Sequence, residues 1–362
     1  MAVPVHIPAA VRGFVNTPAS RVFERVGTLL PECLRIAREY DPSLVVYDFC
    51  ALEGHFVGRL SGIPYWCSIP GMVGPFAHRS YLVENLMSRA NQRAIATLEG
   101  RYRLDVPQSD VEVISNCLHL PGQVNLLWSY PAVTPPRFRD NRGPARYEFV
   151  GYLSDGHRRP AAGTALPLIY LSFGTEVMDN LWADQEETRT GVRRCVAGLT
   201  RLWRPGEVDV VFATQGKRIL DSYPPNWTVR DRVDQQKVLS RADVFVTHGG
   251  SNSFHEAVLH RVPMVVVPFF GDQVLVARRA EELGIGVDLG DGDGIDRNRQ
   301  RRHLAADLAS RIAAAAIRLM ATDTARRGFE ALRLEPTMSL RELAAVSGVA
   351  AGAASLVPAA LR

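Results

Sequence analysis

Residues 242–257 read ADVFVTHGGSNSFHEA, and this stretch carries the strongest signal for the fold. The apolar run 242–247 has the length and composition of a buried parallel strand. A glycine-rich turn follows at 248–250, and a helical pattern begins at Ser251. Backbone N–H groups at such a helix start have no partner within the helix and carry partial positive charge. The stretch therefore predicts a site for an anion such as a diphosphate.

The alternation of apolar strands and helical segments continues along most of the chain. It predicts an α/β protein with parallel, doubly wound sheets, and 362 residues are enough for two such domains. We expect an N-terminal domain at 1–160, a second domain at 161–330 and a C-terminal helical tail at 331–362. A linker is expected inside 155–165, where turn-forming residues replace the periodic pattern.

Short apolar runs predict the strands, and a spacing of three to four residues between apolar positions predicts the helices. Strand 44–48 is expected to be buried on both faces, as in the interior of a parallel sheet. The predicted strands are 44–48, 65–69, 112–116, 124–127, 149–152, 168–175, 208–214, 226–230, 244–247 and 264–268. The predicted helices are 20–40, 51–60, 81–98, 183–202, 235–240, 251–260, 272–283, 298–320 and 338–348.

Composition places the chain among ordinary globular proteins, with 46% hydrophobic and 22% charged residues. The net charge of +4 is small for the length, and basic runs such as 299–302 are interpreted as solvated helix faces, so no nucleic-acid partner is expected. No apolar stretch reaches the roughly 20 residues of a membrane span, and the N-terminus lacks a signal-peptide pattern. We therefore expect a cytoplasmic protein without stable membrane insertion. Its five cysteines lack metal-type spacing and are expected to be reduced, mostly buried thiols.

Two predicted strands end in small and polar residues. Ser172 and Gly174 close the strand that begins at 168, and His248 follows the strand 244–247. Because ligands of doubly wound sheets bind beyond the carboxyl ends of the strands, we expect these residues to line one site. Glycine lets the backbone approach an anion. His248 can donate a hydrogen bond to a diphosphate, more strongly if it is protonated.

Further polar groups follow in the next helix and strand. Asn252 and Ser253 can cap the helix and donate to phosphate oxygens. Glu256, one helical turn further, can accept hydrogen bonds from ribose hydroxyls, and Asp272 and Gln273 offer an acceptor and an amide to sugar hydroxyls. An ordinary strand, turn and helix with a serine cap is the alternative. The presence of all these polar residues at this spacing favours a nucleotide site.

This set resembles the donor half of the family-one UDP-glycosyltransferases of GT-B fold. The family pattern is a His-Gly-type turn, Asn-Ser, Glu, then Gly-Val-Pro and Asp-Gln. The chain departs from it at Arg261, where the family usually has glycine, and at Ser251, where plant members have tryptophan. The matching residues are His248, Gly250, Asn252, Ser253, Glu256, Val262, Pro263, Asp272 and Gln273.

The resemblance implies a role for each part of the donor site. Glu256 would hold the ribose, and Asp272 and Gln273 the sugar. The residues implied near the diphosphate are Ser172, Gly174, Thr175, His248, Gly249, Gly250, Asn252 and Ser253.

A further segment, 232–235, lies where the family has Trp-x-Pro-Gln beside the base. By the resemblance, Arg232 can stack its guanidinium on a pyrimidine, Val233 can pair with it through its backbone, and Gln235 belongs to the donor site. A surface loop is the alternative interpretation of this segment.

The first half of the chain matches the family less completely. Family members begin with a strand and a Gly-His turn, whose histidine is the general base and is oriented by a later aspartate. Asp48 matches that aspartate and is the candidate catalytic residue, with a cap of the next helix as the alternative. The opening strand and turn have no counterpart, so we expect an incomplete first domain with an unpaired edge at 44–48. An oligomer or a partner chain can cover this edge.

Three explanations of the missing segment are considered: a start codon placed too far downstream, which we favour, a decayed gene, and a split enzyme. His55 and His78 are conceivable replacement bases, although non-catalytic roles fit them better. The run 291–293 is an Asp-Gly-Asp like the metal motif of the other glycosyltransferase fold, but turn residues surround it and favour a solvent loop. Neither a metal nor a cofactor is expected besides the nucleotide sugar, because a helix start and His248 can stabilise the leaving diphosphate.

The resemblance implies an inverting transfer of a hexose from a UDP- or dTDP-sugar to a hydroxyl of a small hydrophobic acceptor, as in antibiotic and other natural-product biosynthesis. A catalytically impaired donor-binding remnant, an accessory subunit and a transferase of envelope lipids are the alternatives. Core packing is the alternative role for the residues expected to line an acceptor pocket. These residues are Tyr65, Trp66, Met72, Phe76 and Tyr81.

Overall fold

The protein forms two compact α/β units. One comprises residues 17–151 with 335–337, and the other comprises 152–334. The computed structural model describes residues 17–71, 79–114, 117–135, 146–152, 166–290 and 305–337.

The described part of the first unit contains a parallel sheet in the order β1-β2-β5-β6 and an antiparallel pair, β3-β4. Its strands are β1 (Val45–Asp48), β2 (Tyr65–Ile69), β3 (Glu112–Ile114), β4 (Cys117–His119), β5 (Val124–Leu127) and β6 (Arg146–Phe149). Its α-helices are α1 (Val22–Tyr40), α2 (Glu53–Ser61), α3 (Arg79–Leu86) and α4 (Arg89–Tyr102).

Strand β1 lies at one edge of the described sheet, where an edge was expected. The expected burial on both faces is wrong, because Tyr47 is buried while Val46 is 55% exposed. The Tyr47 face packs on α2, where Gly54 leaves room for the ring: a β-carbon on Gly54 would lie 2.2 Å from Cβ of Tyr47. An edge strand covered by a helix on one face buries only the side chains of that face.

The helix predicted at 81–98 is broken into α3 and α4. Ser88 has extended backbone with ψ 146°, and its hydroxyl accepts a hydrogen bond from the N–H of Asn91 at 3.2 Å. The buried Asn91 side chain donates to the carbonyl of Ala19 at 2.9 Å and accepts from the N–H of Phe23 at 3.0 Å. A side-chain cap and long-range hydrogen bonds thus end a helix that the apolar spacing alone would continue.

One other predicted strand of this unit lies at different residues, and a second is described only in part. The strand predicted at 149–152 lies at 146–149, and Gly151 follows with φ +77°, a conformation that ends the strand. The strand predicted at 112–116 is described at 112–114, where it pairs with an unpredicted strand, 117–119.

The second unit has one parallel sheet in the order β12-β11-β10-β7-β8-β9 among the described residues. Its strands are β7 (Leu168–Ser172), β8 (Asp209–Ala213), β9 (Trp227–Arg230), β10 (Val244–Thr247), β11 (Met264–Val266) and β12 (Gly286–Asp288). Its α-helices of five or more residues are α5 (Glu186–Leu202), α6 (Gln235–Leu239), α7 (Ser251–Leu259), α8 (Gln273–Glu282), α9 (Leu308–Ala321) and α10 (Thr324–Ala331).

This strand order places a topological switch between β7 and β10. The chain adds β8 and β9 on one side of β7, then returns to add β10, β11 and β12 on the other side. Ligands of doubly wound sheets bind beyond the strand ends at such a switch. The parallel α/β architecture predicted from the sequence is confirmed, although β12 and α10 were not predicted. The helix predicted at 338–348 and the linker 155–165 lie outside the described residues.

No helix in the described ranges combines the length and the apolar character needed to cross a membrane.

Candidate functional site

The carboxyl ends of β7 and β10 carry two matching turns. The two strands are neighbours, and Ser172 pairs in register with Thr247. The Ser172 hydroxyl accepts a hydrogen bond from the N–H of Gly174 at 3.3 Å, and the Thr247 hydroxyl accepts one from Gly249 at 3.2 Å. Both glycines have positive φ, +74° and +85°, which glycine adopts without steric cost. The paired hydroxyls thus fix two sharp turns side by side at the switch point.

His248 fills the space between two glycines. A β-carbon on Gly174 would lie 2.2 Å from Cε1 of the imidazole, and one on Gly250 would lie 2.5 Å from Nε2. The side chain is buried, and its Nδ1 has no hydrogen-bond partner among the described residues. Burial lowers the pKa of His248 to about 4, so the free protein holds a neutral ring at neutral pH. A bound anion would favour protonation and so raise that pKa.

Helix α7 begins directly after this histidine. Its N-cap is Gly250, which has no side chain, so the prediction that Asn252 and Ser253 cap the helix is wrong. Asn252 is exposed on the first turn, and the Ser253 hydroxyl instead accepts a hydrogen bond from Nε2 of Gln235 at 3.1 Å. A helix start without a side-chain cap leaves backbone donors for an anion.

Glu256 is held by two other side chains. Nε2 of Gln235 donates to Oε2 of Glu256 at 2.8 Å, and the hydroxyl of Tyr152 donates to Oε1 at 3.3 Å. The hydroxyl of Tyr170 donates to Oε1 of Gln235 at 3.0 Å and orients this amide. The structure therefore joins Gln235 and Glu256, which the sequence singled out, to two tyrosines that it missed. No local pattern separates such tyrosines from core residues.

Asp272 and Gln273 lie at the start of α8, beside the same turn. The main-chain oxygen of Gln273 lies 3.1 Å from where a β-carbon on Gly249 would be. Burial raises the pKa of Asp272 to about 6, partly offset by hydrogen bonds from its own N–H and that of Gln273. Oε1 of the buried Gln273 accepts hydrogen bonds from the N–H groups of Phe269 at 2.9 Å and Phe270 at 3.2 Å. The Gln273 amide therefore also holds the preceding loop, a role not predicted.

The segment 232–235 connects β9 to α6. Arg232 is exposed and Val233 is partly buried, while the carboxylate of Asp234 caps α6 by accepting from the N–H of Lys237 at 3.1 Å. Thr175 is exposed in the first helical turn after β7. The contacts of Arg232 and Val233 with a base stay predictions, as does the contact of Thr175 with phosphate.

Arg261 occupies the left-handed position that ends α7. Its φ is +54°, its N–H donates to the carbonyl of Val258 at 3.1 Å, and the N–H of Val262 donates to the carbonyl of Ala257 at 2.9 Å. These bonds form a Schellman motif, in which glycine is preferred at this position. Arginine at position 261, where the family usually has glycine, therefore strains the backbone and destabilises the fold relative to glycine.

We expect Arg261→Gly to stabilise the protein by about 1 kcal/mol, because glycine adopts this conformation without strain. The free energy of unfolding in urea measures the gain. Gly284→Ala is the matched control at the equivalent position of α8, where φ is +69° and a β-carbon would meet nothing closer than 3.8 Å. Gly284→Ala should lower the free energy of unfolding by about 1 kcal/mol. A less stable Arg261→Gly would show that the arginine side chain outweighs its backbone strain.

Asp48 ends β1 with an exposed side chain. Its Oδ1 accepts a hydrogen bond from the N–H of Cys50 at 3.0 Å, within a local turn. The N-cap position of α2 is Leu52, so the alternative that Asp48 caps this helix is wrong. The catalytic role of Asp48 stays a prediction.

His55 is enclosed in the first unit. Its Nδ1 donates to the carbonyl of Pro121 at 3.0 Å, and its ring packs edge-on against Phe56 and Tyr65. Burial lowers the pKa of His55 to about 4. A buried ring with a structural hydrogen bond favours the non-catalytic interpretation. His78 lies outside the described residues.

Two of the aromatic residues considered for an acceptor pocket pack in the protein interior. Trp66 is buried in a cluster with Val124 and Leu126, and Tyr81 packs against the core beside α1. Core packing is therefore the better interpretation of both. Met72, Phe76 and the run 291–293 lie outside the described residues.

All five cysteines are free thiols. Two of them, Cys67 and Cys195, are buried, and the other three are partly exposed, so the expectation of mostly buried thiols holds only in part. In the described portion of the chain, no three His, Cys, Asp or Glu side chains are grouped so that they could hold a metal ion.

Comparisons with known proteins show that this chain is similar to glycosyltransferases. Residues 201–328 match the family described as erythromycin biosynthesis protein CIII-like, C-terminal domain. The NDP-glycosyltransferase YjiC of Bacillus subtilis (strain 168) is 28% identical over 291 residues, which are 76% of this chain and 66% of that protein. YjiC of Bacillus licheniformis is 25% identical over 272 residues, which are 72% of this chain and 63% of that protein. The chain thus matches somewhat less than two thirds of the length of these relatives.

The fold comparison agrees with the family match. The solved structure of the glycotransferase of kitacinnamycin has a TM-score of 0.64 and 23% identity, and the match covers 94% of this chain and 82% of that one. At this identity the likeness establishes the fold, and the predicted GT-B class is confirmed. The resemblance to bacterial glycosyltransferases of natural-product type is also confirmed, whereas an incomplete first domain stays a prediction.

Proposed function

We propose that this chain is a family-one glycosyltransferase of bacterial natural-product type and that it transfers a hexose from a UDP- or dTDP-sugar to a hydroxyl of a small hydrophobic acceptor. The observation that carries this proposal is the junction of β7 and β10. There, a buried neutral His248 lies between two glycines at the uncapped start of α7. Such a junction offers an anion several N–H donors in an enclosed space.

The diphosphate would bind at this junction. Backbone N–H groups of Asn252 and Ser253 lie in the first turn of α7, where the positive end of the helix dipole favours negative charge. The neutral imidazole of His248 would donate one further hydrogen bond, and protonation on binding would strengthen it. Since negative charge grows on the diphosphate as the sugar leaves, the same donors would stabilise the transition state more than the bound substrate.

The rest of the donor would extend from the diphosphate in two directions. Glu256, which Gln235 holds in place, would accept hydrogen bonds from the ribose, and Arg232 and Val233 would meet the base. Asp272 and Gln273 would bind sugar hydroxyls at the start of α8. The partly buried carboxylate of Asp272 is a stronger acceptor than an exposed one, because water competes with it less.

The acceptor reaction would be a single inverting displacement. A base removes the proton of the acceptor hydroxyl, the oxygen attacks the anomeric carbon, and the nucleotide diphosphate leaves. Asp48, exposed at the end of β1, is the residue proposed to take part in this step. We propose a cytoplasmic enzyme of antibiotic or related biosynthesis that needs no cofactor besides the nucleotide sugar.

We expect His248→Ala to weaken UDP binding about tenfold to hundredfold, because a hydrogen bond to a charged group contributes about 1.5–3 kcal/mol. Isothermal titration calorimetry of the purified protein with UDP measures the dissociation constant. His260→Ala is the matched control, since it truncates a second buried histidine at the other end of α7. Equal affinity of wild type and His248→Ala would refute the diphosphate assignment. Wild-type protein that binds neither UDP nor dTDP would refute the proposed function.

A further inference from the structure

The carboxylate of Glu256 is fixed at both oxygens. Oε1 accepts from the hydroxyl of Tyr152 at 3.3 Å, and Oε2 accepts from Nε2 of Gln235 at 2.8 Å. A carboxylate oxygen can accept two hydrogen bonds. After these two bonds, each oxygen of Glu256 can accept one more hydrogen bond, so the carboxylate keeps one acceptor position on each of its two neighbouring oxygens. Such a pair of acceptors matches two hydroxyls on neighbouring carbon atoms.

Tyr152 is itself held in place by a stacked ring. Its phenol ring lies parallel to the imidazole of His255, with centroids 5.1 Å apart and an interplanar angle of 8°. His255 is buried, and its Nδ1 donates to the carbonyl of Ser251 at 2.8 Å, within the first turn of α7. The stacked pair therefore ties the Tyr152 hydroxyl to the helix that presents Glu256.

Gln235 is fixed from the opposite side. The hydroxyl of Tyr170 donates to its Oε1 at 3.0 Å, and the Tyr170 ring stacks on Phe245 in the sheet with centroids 4.6 Å apart. This hydrogen bond decides which end of the amide faces Glu256, so Nε2 must be the donor. Glu256 is thus held between the Gln235 amide, which the sheet residue Tyr170 orients, and the hydroxyl of Tyr152.

We propose that Tyr152 is a positioning residue that makes the donor site select ribonucleotides over 2′-deoxyribonucleotides. By fixing Oε1, Tyr152 holds both free acceptor positions of Glu256 toward the 2′- and 3′-hydroxyls of a ribose. A 2′-deoxyribose leaves one of these positions unfilled, and an unfilled acceptor in a partly buried site is costly. This inference rests on the proposed function and assigns uridine-type rather than thymidine-type donors to the chain.

Tyr152→Phe tests the inference, because it keeps the stacked ring and removes only the hydroxyl. Calorimetry would compare UDP with 2′-deoxyuridine diphosphate, which differ only at the 2′-position. Wild-type protein should bind UDP about tenfold more tightly than the deoxy analogue. Tyr152→Phe should weaken UDP binding about three- to tenfold and leave the affinity for the deoxy analogue nearly unchanged. The ratio of the two affinities, which favours UDP in the wild type, should therefore decrease.

Two further variants separate positioning from general damage. Tyr223→Phe removes a hydroxyl elsewhere in the same unit, one that accepts from the N–H of Leu220 at 3.2 Å, and should leave both affinities unchanged. Adding Tyr152→Phe to Glu256→Gln should cause little further loss of UDP affinity, because the two residues act through one contact. A double variant that loses as much as the separate changes combined would overturn the assignment.

Other outcomes separate a failure of the proposed function from a failure of the role of Tyr152. If wild type binds UDP, His248→Ala weakens it and Tyr152→Phe weakens UDP and its deoxy analogue equally, the proposed function stands and the role of Tyr152 is overturned. The role of Tyr152 is also overturned if wild type binds both nucleotides equally well. If wild type binds neither UDP nor dTDP, the proposed function fails, and the role of Tyr152 fails with it.

Discussion

Gly174→Ala should weaken UDP binding at least about hundredfold and destabilise the fold by several kcal/mol. Two effects act together at this position. Its φ of +74° costs a residue with a β-carbon about 1–2 kcal/mol. The new β-carbon would also lie 2.2 Å from Cε1 and 2.5 Å from Nε2 of His248, so the buried ring must move. Losing the His248 donor and the geometry of the turn removes two anion contacts, each of about 1.5–3 kcal/mol.

Two other glycines separate these effects. Gly216 has φ +76° but nothing within 4 Å of a β-carbon, so Gly216→Ala reports strain alone. Gly250 has an ordinary φ of −62°, but a β-carbon would lie 2.5 Å from Nε2 of His248, so Gly250→Ala reports the collision alone. Urea denaturation of the three variants gives the free energy of unfolding, and calorimetry gives the dissociation constant for UDP. We expect Gly216→Ala to lose stability but keep UDP affinity, and Gly250→Ala to lose UDP affinity.

If Gly174→Ala bound UDP as tightly as Gly216→Ala, the close approach of the His248 ring would have no part in donor binding. In that case the turn after β7 would serve the fold alone.

Lowering the pH from 7 to 5 should destabilise both units by several kcal/mol. Burial lowers the pKa of four histidines, to about 4 for His55, His248 and His255 and to about 3 for His119. In the unfolded chain these side chains take up protons near pH 6.5, whereas the folded protein keeps them neutral down to about pH 4. The unfolded state therefore binds more protons as the pH falls through this window. The cost is about 2 kcal/mol per histidine at pH 5.

Buried carboxyl groups act in the opposite direction. The raised pKa of Asp272, about 6, means that the folded state takes up a proton before the unfolded state does, which adds about 1 kcal/mol of stability by pH 5. Two histidines in the same unit outweigh this gain, so the second unit should still lose stability. In the first unit, burial raises the pKa of Glu112, which offsets part of the histidine loss there by the same mechanism.

Urea denaturation at pH 7 and pH 5 measures this change. His55→Asn keeps an N–H donor near Pro121 and removes one titrating group, so it should lower the pH dependence by about 2 kcal/mol even if it costs stability at pH 7. An unchanged pH dependence in this variant would show that folding does not lower the pKa of His55.

The second half of the fold could be predicted in most of its elements, because its signals are local. All four residues of β10 are buried, and an apolar run of that kind marks a central parallel strand. The glycines after it and the helical period of α7 lie within one short segment. The three-residue strand β12 was missed, because so short a run has no recognisable period.

The first half was predicted less well, because long-range contacts decide its elements. The break at Ser88 depends on Asn91 reaching Ala19 and Phe23, 72 and 68 residues away. The antiparallel pair β3-β4 depends on pairing that short apolar runs do not encode. The exposure of Val46 depends on its position at the edge of the described sheet.

The amino-acid sequence specifies which chemical groups belong to the candidate donor site and in what order they occur, because residue type and short-range spacing fix a strand, a glycine turn and a helix start. How these groups act on one another follows from the folded structure. Burial keeps the His248 ring neutral, and α7 begins directly after its N-cap Gly250, without a side-chain cap. The hydroxyl of Tyr152 donates a hydrogen bond to Glu256, 104 residues away in the sequence. Burial and side-chain partnership arise from contacts between segments far apart in the chain, and no local pattern of residues specifies them.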